Sequence, residues 1–266
     1  MPTFQGNPFS NFYKRILQIN QSSNTGVDAT TRTIETGDGV NTSMSVSDDV
    51  LQVQPQNDDT TGTFLVKNSS GTELLKVDST NSLVKALGHN VNTQYANFGI
   101  NSTAAQQFSA NNHYAIPFTM NEFSNSISLP TFGTGTDPAT TFTTADSNGQ
   151  RASAIVPLLW RVPDNITIDE IKHFEGADAA TGDVTRLHLM EYTLTSGSTS
   201  CLSSGAVIAN TSADNTNAGS EQVYLKDWTI NTANVDAGKV LLCMFRSDSV
   251  NSDFAISVNI KYRIRG

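Results

Sequence analysis

Apolar positions are spread unevenly along this chain. From Gln21 to Gly62 they are sparse, and short polar runs are broken by Gly, Asn and Asp. Met44, Val46, Val50, Leu51 and Val53 give fragments of two-residue alternation, the period of a strand with one covered face. An internal repeat follows. Leu65-Val66-Lys67, Leu74-Leu75-Lys76 and Leu83-Val84-Lys85 recur every nine residues. The turn-rich stretches Asn68-Ser69-Ser70-Gly71 and Asp78-Ser79-Thr80-Asn81 separate them. Each unit predicts a short strand with too little apolar surface to stabilise itself, so stacking between copies or chains is expected. Two arrangements fit. One is an intertwined trimeric β-stalk that buries Leu65, Leu74, Leu75, Leu83 and Val84 about a shared axis. The other is a β-meander packed on the C-terminal domain.

Beyond residue 113 the pattern changes. Apolar and β-branched runs now recur at Ala115–Met120, Ala152–Val162, Ile166–Phe174, Val184–Leu194, Val207–Ala209, Val223–Ile230, Lys239–Arg246 and Phe254–Ile264. Turn clusters separate them, among them Asp146-Ser147-Asn148-Gly149, Gly176–Gly182 and Asn210–Ser220. The last run alternates most clearly. Phe254, Ile256, Val258, Ile260, Tyr262 and Ile264 fall on one face of a half-buried strand. About eight such strands predict an antiparallel β-sandwich, jelly-roll-like, with Trp160 and Trp228 in its core or at a subunit contact.

The N-terminal stretch is aromatic. Phe9, Phe12, Tyr13, Ile16 and Leu17 share the spacing of one helix face, with Asn7 as cap and Pro8 at the first helical position. A helix of about ten residues is marginal alone. Its apolar side therefore packs either in a partner or on the protein's own core. In the first case Phe4, Phe9, Phe12, Tyr13, Ile16 and Leu17 form a docking peptide. The expected organisation is a docking segment over 1–20, a β-repeat stalk over 21–88, a connector over 89–112 and a β-sandwich over 113–266. The connector holds a candidate helical turn at Thr103–Phe108, started by Ser102 or Thr103.

Composition narrows the choice. The chain has 16 Lys+Arg against 25 Asp+Glu and a formal net charge of -9. That balance argues against a nucleic-acid binder, whose affinity comes from clustered cations. No run reaches the length of a membrane-spanning helix. Two Cys cannot build a disulfide framework or a four-thiolate zinc site. Abundant Ser, Thr, Asn and Gly, all weak helix formers, make the expected fold class all-β. Residues 1–20 lack a basic stretch followed by an apolar one, so the chain is expected to be made and kept in the cytoplasm until it is released.

A search for chemistry returns little. The four His are His89, His113, His173 and His188, and none has HExxH spacing. His173-Phe174-Glu175 matches the H-x-E fragment of zinc deaminases, but the P-C-x-x-C partner is missing. There is no nucleophile elbow, phosphate loop or dinucleotide fingerprint. Gly133-Thr134-Gly135-Thr136-Asp137-Pro138 reads as a plain loop. The acidic groups Asp58-Asp59, Asp146 with Asn148, and Asp178 with Asp183 read as solvated turns rather than calcium loops. Glycoside hydrolysis needs two facing carboxylates. Asp164, Asp169, Glu170, Glu175 and Glu191 are the candidates, and nothing in their spacing brings a pair together. Cys201 and Cys243 read as a turn residue and a core residue. No catalytic residue, metal or cofactor is expected.

The repeat carries a resemblance. Gly62-Thr63-Phe64-Leu65-Val66-Lys67-Asn68, continued by Glu73-Leu74-Leu75-Lys76-Val77-Asp78, resembles stalk repeats of fibre proteins from marine tailed bacteriophages. His113-Tyr114-Ala115-Ile116-Pro117-Phe118, Val162-Pro163-Asp164-Asn165-Ile166-Thr167-Ile168 and Ala237-Gly238-Lys239-Val240 resemble their terminal β-domains. The resemblance implies a homotrimer on the virion surface, assembled in the host cytoplasm. It implies an N-terminal anchor on other virion proteins, of capsid or tail, and a distal β-sandwich. Exposed loops such as Gly133–Asp137 and Asn210–Ser220 would then meet the host, with surface glycan as the candidate target. Neither nucleic acid nor membrane insertion is implied, and no catalytic residue is carried over. The alternatives are a virion glycan depolymerase, a capsid decoration or stabilising protein, and a bacterial adhesin.

Overall fold

The computed structural model describes residues 13, 16–22, 26–57, 59–101, 109–122, 129–146, 149–177, 182, 184–211, 215–216, 222–248 and 254–265. The chain divides into two compact units, Met1–Val91 and Asn92–Gly266.

The first unit holds two antiparallel sheets. Strands β1 (Leu17–Ile19), β2 (Arg32–Thr36), β3 (Asn41–Val46) and β4 (Leu51–Val53) pair in sequence order. So do β5 (Phe64–Lys67), β6 (Glu73–Asp78), β7 (Leu83–Ala86) and β8 (His89–Asn90). The nine-residue repeat thus becomes the meander β5–β6–β7. Its turns follow from local chemistry. The Asn68 side chain accepts the Ser70 and Thr72 backbone N–H groups at 3.1 and 2.9 Å, and Gly71 takes the left-handed conformation. Asp78 accepts the Asn81 backbone N–H at 3.0 Å and its side-chain amide at 3.0 and 3.1 Å, which holds the Asp78 carboxyl below the usual range. Among the described residues of this unit, no apolar side chain is buried.

The second unit is all-β apart from one short helix, and it holds the entire described core. Its strands are β9 (Thr93–Asn101), β10 (His113–Ile116), β11 (Thr119–Glu122), β12 (Trp160–Arg161), β13 (Ile166–Ala177), β14 (Val184–Leu194), β15 (Leu202–Thr211), β16 (Asn215–Thr216), β17 (Gln222–Ile230), β18 (Asn234–Val235), β19 (Val240–Ser247) and β20 (Phe254–Ile264). The main path runs β10-β19-β14-β15-β17-β13-β20-β9-β11. All pairings along it are antiparallel except β9 with β11. The path folds over at β15–β17, where pairing is confined to Ala209–Thr211 against Trp228–Ile230. Phe98 of β9 and Trp160, the latter paired opposite Leu241 of β19, meet edge-to-face at 6.3 Å. Phe118 stacks on Trp160 at 5.6 Å and Tyr262 closes on it at 5.2 Å.

Strand β19 explains its own sequence. Its residues are buried on both faces except Arg246, which is half-buried, so it reads as a continuous apolar run instead of an alternating one. The face bearing Leu241, Cys243 and Phe245 turns to the core, on the side of Trp160. The other face lies under a strap, residues 129–145. Phe132 of the strap stacks on Phe142 at 4.8 Å and meets Tyr192 at 6.2 Å. The Tyr192 hydroxyl donates to the Ala139 carbonyl at 2.5 Å, and the Gly205 N–H donates to the Thr140 carbonyl at 2.8 Å.

Three expectations change. The expected connector, 89–112, contains the nine-residue strand β9, and the compact unit starts at Asn92 instead of 113. Ala96, Phe98 and Ile100 alternate into the core, a period-two signal only three positions long within a segment otherwise polar. The run Ala152–Val162 begins as a helix (Ala152–Ile155) and a 3-10 turn (Val156–Leu158) before β12, because Pro157 cannot donate to a ladder. The candidate turn at Thr103–Phe108 lies outside the described residues.

Strand β15 carries a bulge. Glu191 faces Ala206 and Thr193 faces Ser203, so one extra residue is accommodated near Ser204, which has φ 53°, and Gly205. A Cβ at Gly205 would lie 2.4 Å from the Tyr192 ring and 2.9 Å from the Thr140 backbone. Gly205→Ala should therefore destabilise the protein by about 1–3 kcal/mol through overpacking, measured by denaturant unfolding.

Candidate functional site

The most unusual surface is the meander of the first unit. Phe64 pairs with Val77, which pairs with Val84, and Val66 pairs with Leu75, which pairs with Ala86. Paired residues share a face, and so do residues two apart. One face therefore carries Phe64, Val66, Leu75, Val77, Val84 and Ala86, with polar side chains only at its margins, Glu73 at the start of β6 and His89 of β8 opposite Ala86. The opposite face carries Leu65, Lys76, Lys85, Asp78 and Leu83. None of the six apolar side chains is buried. Completing their burial is worth on the order of 5 kcal/mol per chain, comparable to the whole stability of a small domain.

The expected stalk residues divide between these faces. Leu75 and Val84 lie on the apolar one. Leu65 and Leu83 lie with the lysines. Leu74 sits at the irregularity between Val66 and Lys67 and is exposed. Phe64, Val66, Val77 and Ala86 were not singled out. Following repeat positions ignores that each turn resets which parity faces inward, and pairing Phe64 against Val77 would have revealed them.

Of the expected docking residues, Phe4, Phe9 and Phe12 lie outside the described residues. Tyr13 is exposed, and its carbonyl accepts the Ile16 N–H at 3.2 Å. The expected helix does not reach Leu17. Leu17–Ile19 is strand β1, paired with Ile34–Thr36. The ladder supplies backbone partners that a short isolated helix could not secure.

In the second unit the loop Gly133–Asp137 belongs to the strap and covers two histidines. His113 exchanges backbone hydrogen bonds with the strap. Its N–H donates to the Gly133 carbonyl at 3.0 Å, and its carbonyl accepts the Phe132 N–H at 2.8 Å. His113 Nε2 lies 3.0 Å from the Gly135 carbonyl, and His188 Nε2 lies 3.5 Å from an Asp137 carboxylate oxygen. The two rings meet edge-to-face at 5.1 Å. Both Nδ1 atoms are buried without a hydrogen-bond partner. Arg246 stands opposite both His113 and Arg186 in the sheet. Burial first, then the neighbouring His113 charge, brings the His188 pKa down to about 4. Burial also lowers that of His113. Part of the second expected loop, Asn210–Ser220, lies outside the described residues.

The fragment His173-Phe174-Glu175 became a buried polar network. His173 and Glu175 are two apart on β13 and both point inward. The Trp228 Nε1–H donates to His173 Nδ1 at 2.8 Å. Indole nitrogen only donates, so a neutral His173 carries its proton on Nε2, which faces Glu175 Oε2 at 3.4 Å. The Thr185 hydroxyl, from β14, lies 2.8 and 2.9 Å from the two Glu175 oxygens. The network thus ties β13 and β17 to β14. It is closed to solvent, and that makes it a structural device.

The remaining candidates are occupied or apart. Asp169 is paired with Arg263, and Glu191 with Lys239 at 3.3 Å. Glu170 lies 3.9 Å from Lys172. Asp164 is exposed. An open cleft of about 420 Å³ is lined by Thr144, Asp146, Arg151, Ser153 and Thr199, and a smaller one of about 180 Å³ by Asn111, Arg186, Arg246 and Asp248. Each contains a single carboxylate, one short of the pair that glycoside hydrolysis uses. Among the described residues, no three His, Cys, Asp or Glu are grouped to hold a metal. Cys201 and Cys243 are both buried, and burial raises both thiols. His89 is exposed on β8. No described helix is long and apolar enough to cross a membrane. No protein-family model matches this chain, and no curated protein matches it.

Two outcomes follow from the histidines. At His113 and His188 the folded protein binds fewer protons than the unfolded chain. Their full stability is therefore present above about pH 6.5 and is lost as pH falls toward 4. His188 alone should cost about 2–3 kcal/mol between about pH 7 and about pH 4.5. His188→Phe should remove that part of the pH dependence in urea unfolding. At the second network, Trp228→Phe leaves His173 Nδ1 buried and unpaired. Denaturant unfolding should show a loss of about 1–3 kcal/mol.

Proposed function

We propose that this chain is a structural protein of a bacteriophage virion, a homotrimeric surface fibre on the capsid or as a short tail fibre. The observation that carries the reading is the uncovered six-residue apolar face of the β5–β6–β7 meander. A small sheet with an exposed apolar face is not stable by itself in water, and copies of the same chain supply a matching surface at fixed stoichiometry. Three meanders around one axis form the stalk. Residues 1–20 dock it on other virion proteins. The C-terminal unit, a jelly-roll-like sandwich in this reading, stands outward and presents its strap loop to the host surface.

Sedimentation of the full chain tests the stoichiometry. Three 28.6 kDa chains are expected per particle. Val84→Asp should reduce the particle to single chains and leave the near-ultraviolet circular dichroism of the second unit unchanged, since Val84 is exposed within its own chain. A wild-type chain that sediments as a monomer removes the reading. Electron microscopy of virions carrying a labelled copy then separates capsid from tail.

A further inference from the structure

Arg246 sits in a row of basic side chains. Cross-strand pairing sets His113 of β10 opposite Arg246 of β19, and Arg246 opposite Arg186 of β14. Paired side chains share a face about 5 Å apart, and like charges placed that way are destabilising. Both arginines are half-buried and His113 is fully buried. A guanidinium carries several N–H donors in a planar fork. Among the described residues Arg246 finds a partner for a single one, from Nη2 to the Asn111 side-chain oxygen at 2.7 Å. Its Nε is buried without a hydrogen-bond partner. The ion pairs of the neighbouring side chains, His188 with Asp137 and Lys239 with Glu191, leave Arg246 without a carboxylate. A half-buried charge in that state is costly until a counter-charge meets it.

The surroundings hold a place for one. Arg246 and Arg186 line the open cleft of about 180 Å³ together with Asn111, Val184 and Asp248. Its two sides are fixed by the backbone. The Asn111 N–H donates to the Ser247 carbonyl at 2.6 Å, with Asn111 in the left-handed region at φ 64°. Opposite, Asp248 Oδ1 accepts the Val184 N–H at 2.7 Å, and the Asp248 N–H donates to the Val184 carbonyl at 3.2 Å. Asp248 is the single carboxylate among the described lining residues, and its second oxygen remains an acceptor. The positive field also reaches the interior. Burial is the first reason that His113 and His188 stay neutral, and the arginine charges act in the same direction.

We propose that this cleft binds one oxyanion of an acidic glycan, a uronate carboxylate or a sugar sulfate. The glycan part rests on the reading that the C-terminal unit meets a host surface. A guanidinium fork matches the paired oxygens of either group, and Arg246 has donors to give. The Asn111 amide and the Asp248 carboxylate suit the hydroxyls beside the charge. Asp248 repels a second negative group, so the cleft favours a sugar with one charge over a polyphosphate. Nucleic acid is disfavoured in addition by the net charge of -9. The cleft borders the strap, since Asn111 lies two residues before His113, whose backbone pairs with Gly133 and Phe132.

The test measures binding of the full chain to immobilised polygalacturonate and dextran sulfate. Methyl-esterified polygalacturonate and plain dextran are the uncharged counterparts. At least one charged polymer should bind at least about tenfold more tightly than its counterpart, and which one does so separates carboxylate from sulfate. Arg246→Gln should weaken that binding at least about tenfold. Asn111→Asp places a carboxylate on Arg246, so it should block binding while leaving the fold at least as stable. Arg151→Gln, at the other cleft, should bind like wild type. The fluorescence of Trp160 and Trp228, both in the second unit, reports that each variant is folded. Binding to neither charged polymer, equal binding to the uncharged ones, full binding by folded Arg246→Gln or Asn111→Asp, or an equal loss in Arg151→Gln overturns the inference. The site lies within one chain, so sedimentation separates the two readings. A trimer that does not bind removes this inference and leaves the stalk, and a monomer that binds does the reverse.

Discussion

A β-sheet whose side chains are apolar on one face is stable in water only when that face is covered, and the two units of this chain differ in how far their own residues supply the cover. In Asn92–Gly266 the cover is internal. The sheet path folds over at β15–β17, so that Phe98, Ile256, Val258 and Ile260 from one side meet Leu187, Leu189, Cys243 and Phe245 from the other. The strap 129–145 then covers the far side of β19. In Met1–Val91 the strands form and pair, but none of the described apolar side chains is buried. Hydrogen bonding alone leaves such sheets marginal, because each backbone bond replaces one with water. The deficit is what makes self-association the physical expectation for the first unit.

Polar groups buried in the second unit act on specificity. The Trp228–His173–Glu175–Thr185 chain has a direction set by indole nitrogen being a donor only. It ties three strands together, and a slip of one residue in β13 would aim His173 and Glu175 at solvent and pull Phe174 and Lys172 inside. The His113–His188 pair does a different job. Its two orphaned Nδ1 atoms are a standing cost, tolerable because the strap excludes water and keeps both rings neutral. Fold and pH sensitivity are therefore linked through one covering loop. That loop is also the one placed outward in the proposed fibre.

Much of this was legible in the chain. Strands β14 and β20 fall where their runs of alternating or apolar residues begin and end, and the meander β5–β6–β7 follows the nine-residue repeat with turns at Asn68–Gly71 and Asp78–Asn81. Those features are local: period two, side-chain turns and left-handed glycine depend on neighbours in sequence. Strand β9 was missed because its alternation, Ala96, Phe98 and Ile100, is only three positions long and lies in a segment whose Asn, Gln, Thr and Ser content reads as a connector. The helical start of Ala152–Val162 was missed because a short apolar run without alternation suits helix and strand alike.

All-β class, short strands, the division into an apolar-poor and an apolar-rich half, and the absence of a recognisable catalytic motif are properties of the sequence alone. Each depends on composition and spacing within a few residues. Which side chains share a face is not of that kind. That Phe64, Val66 and Val77 join Leu75 and Val84, that Leu65 does not, and that Arg246 falls between His113 and Arg186 were decided by strand register. Register is set between segments distant in the chain, and a shift of one residue exchanges every inner side chain for its outer neighbour. Only the tertiary structure chooses it, through the core that one choice can bury and the other cannot.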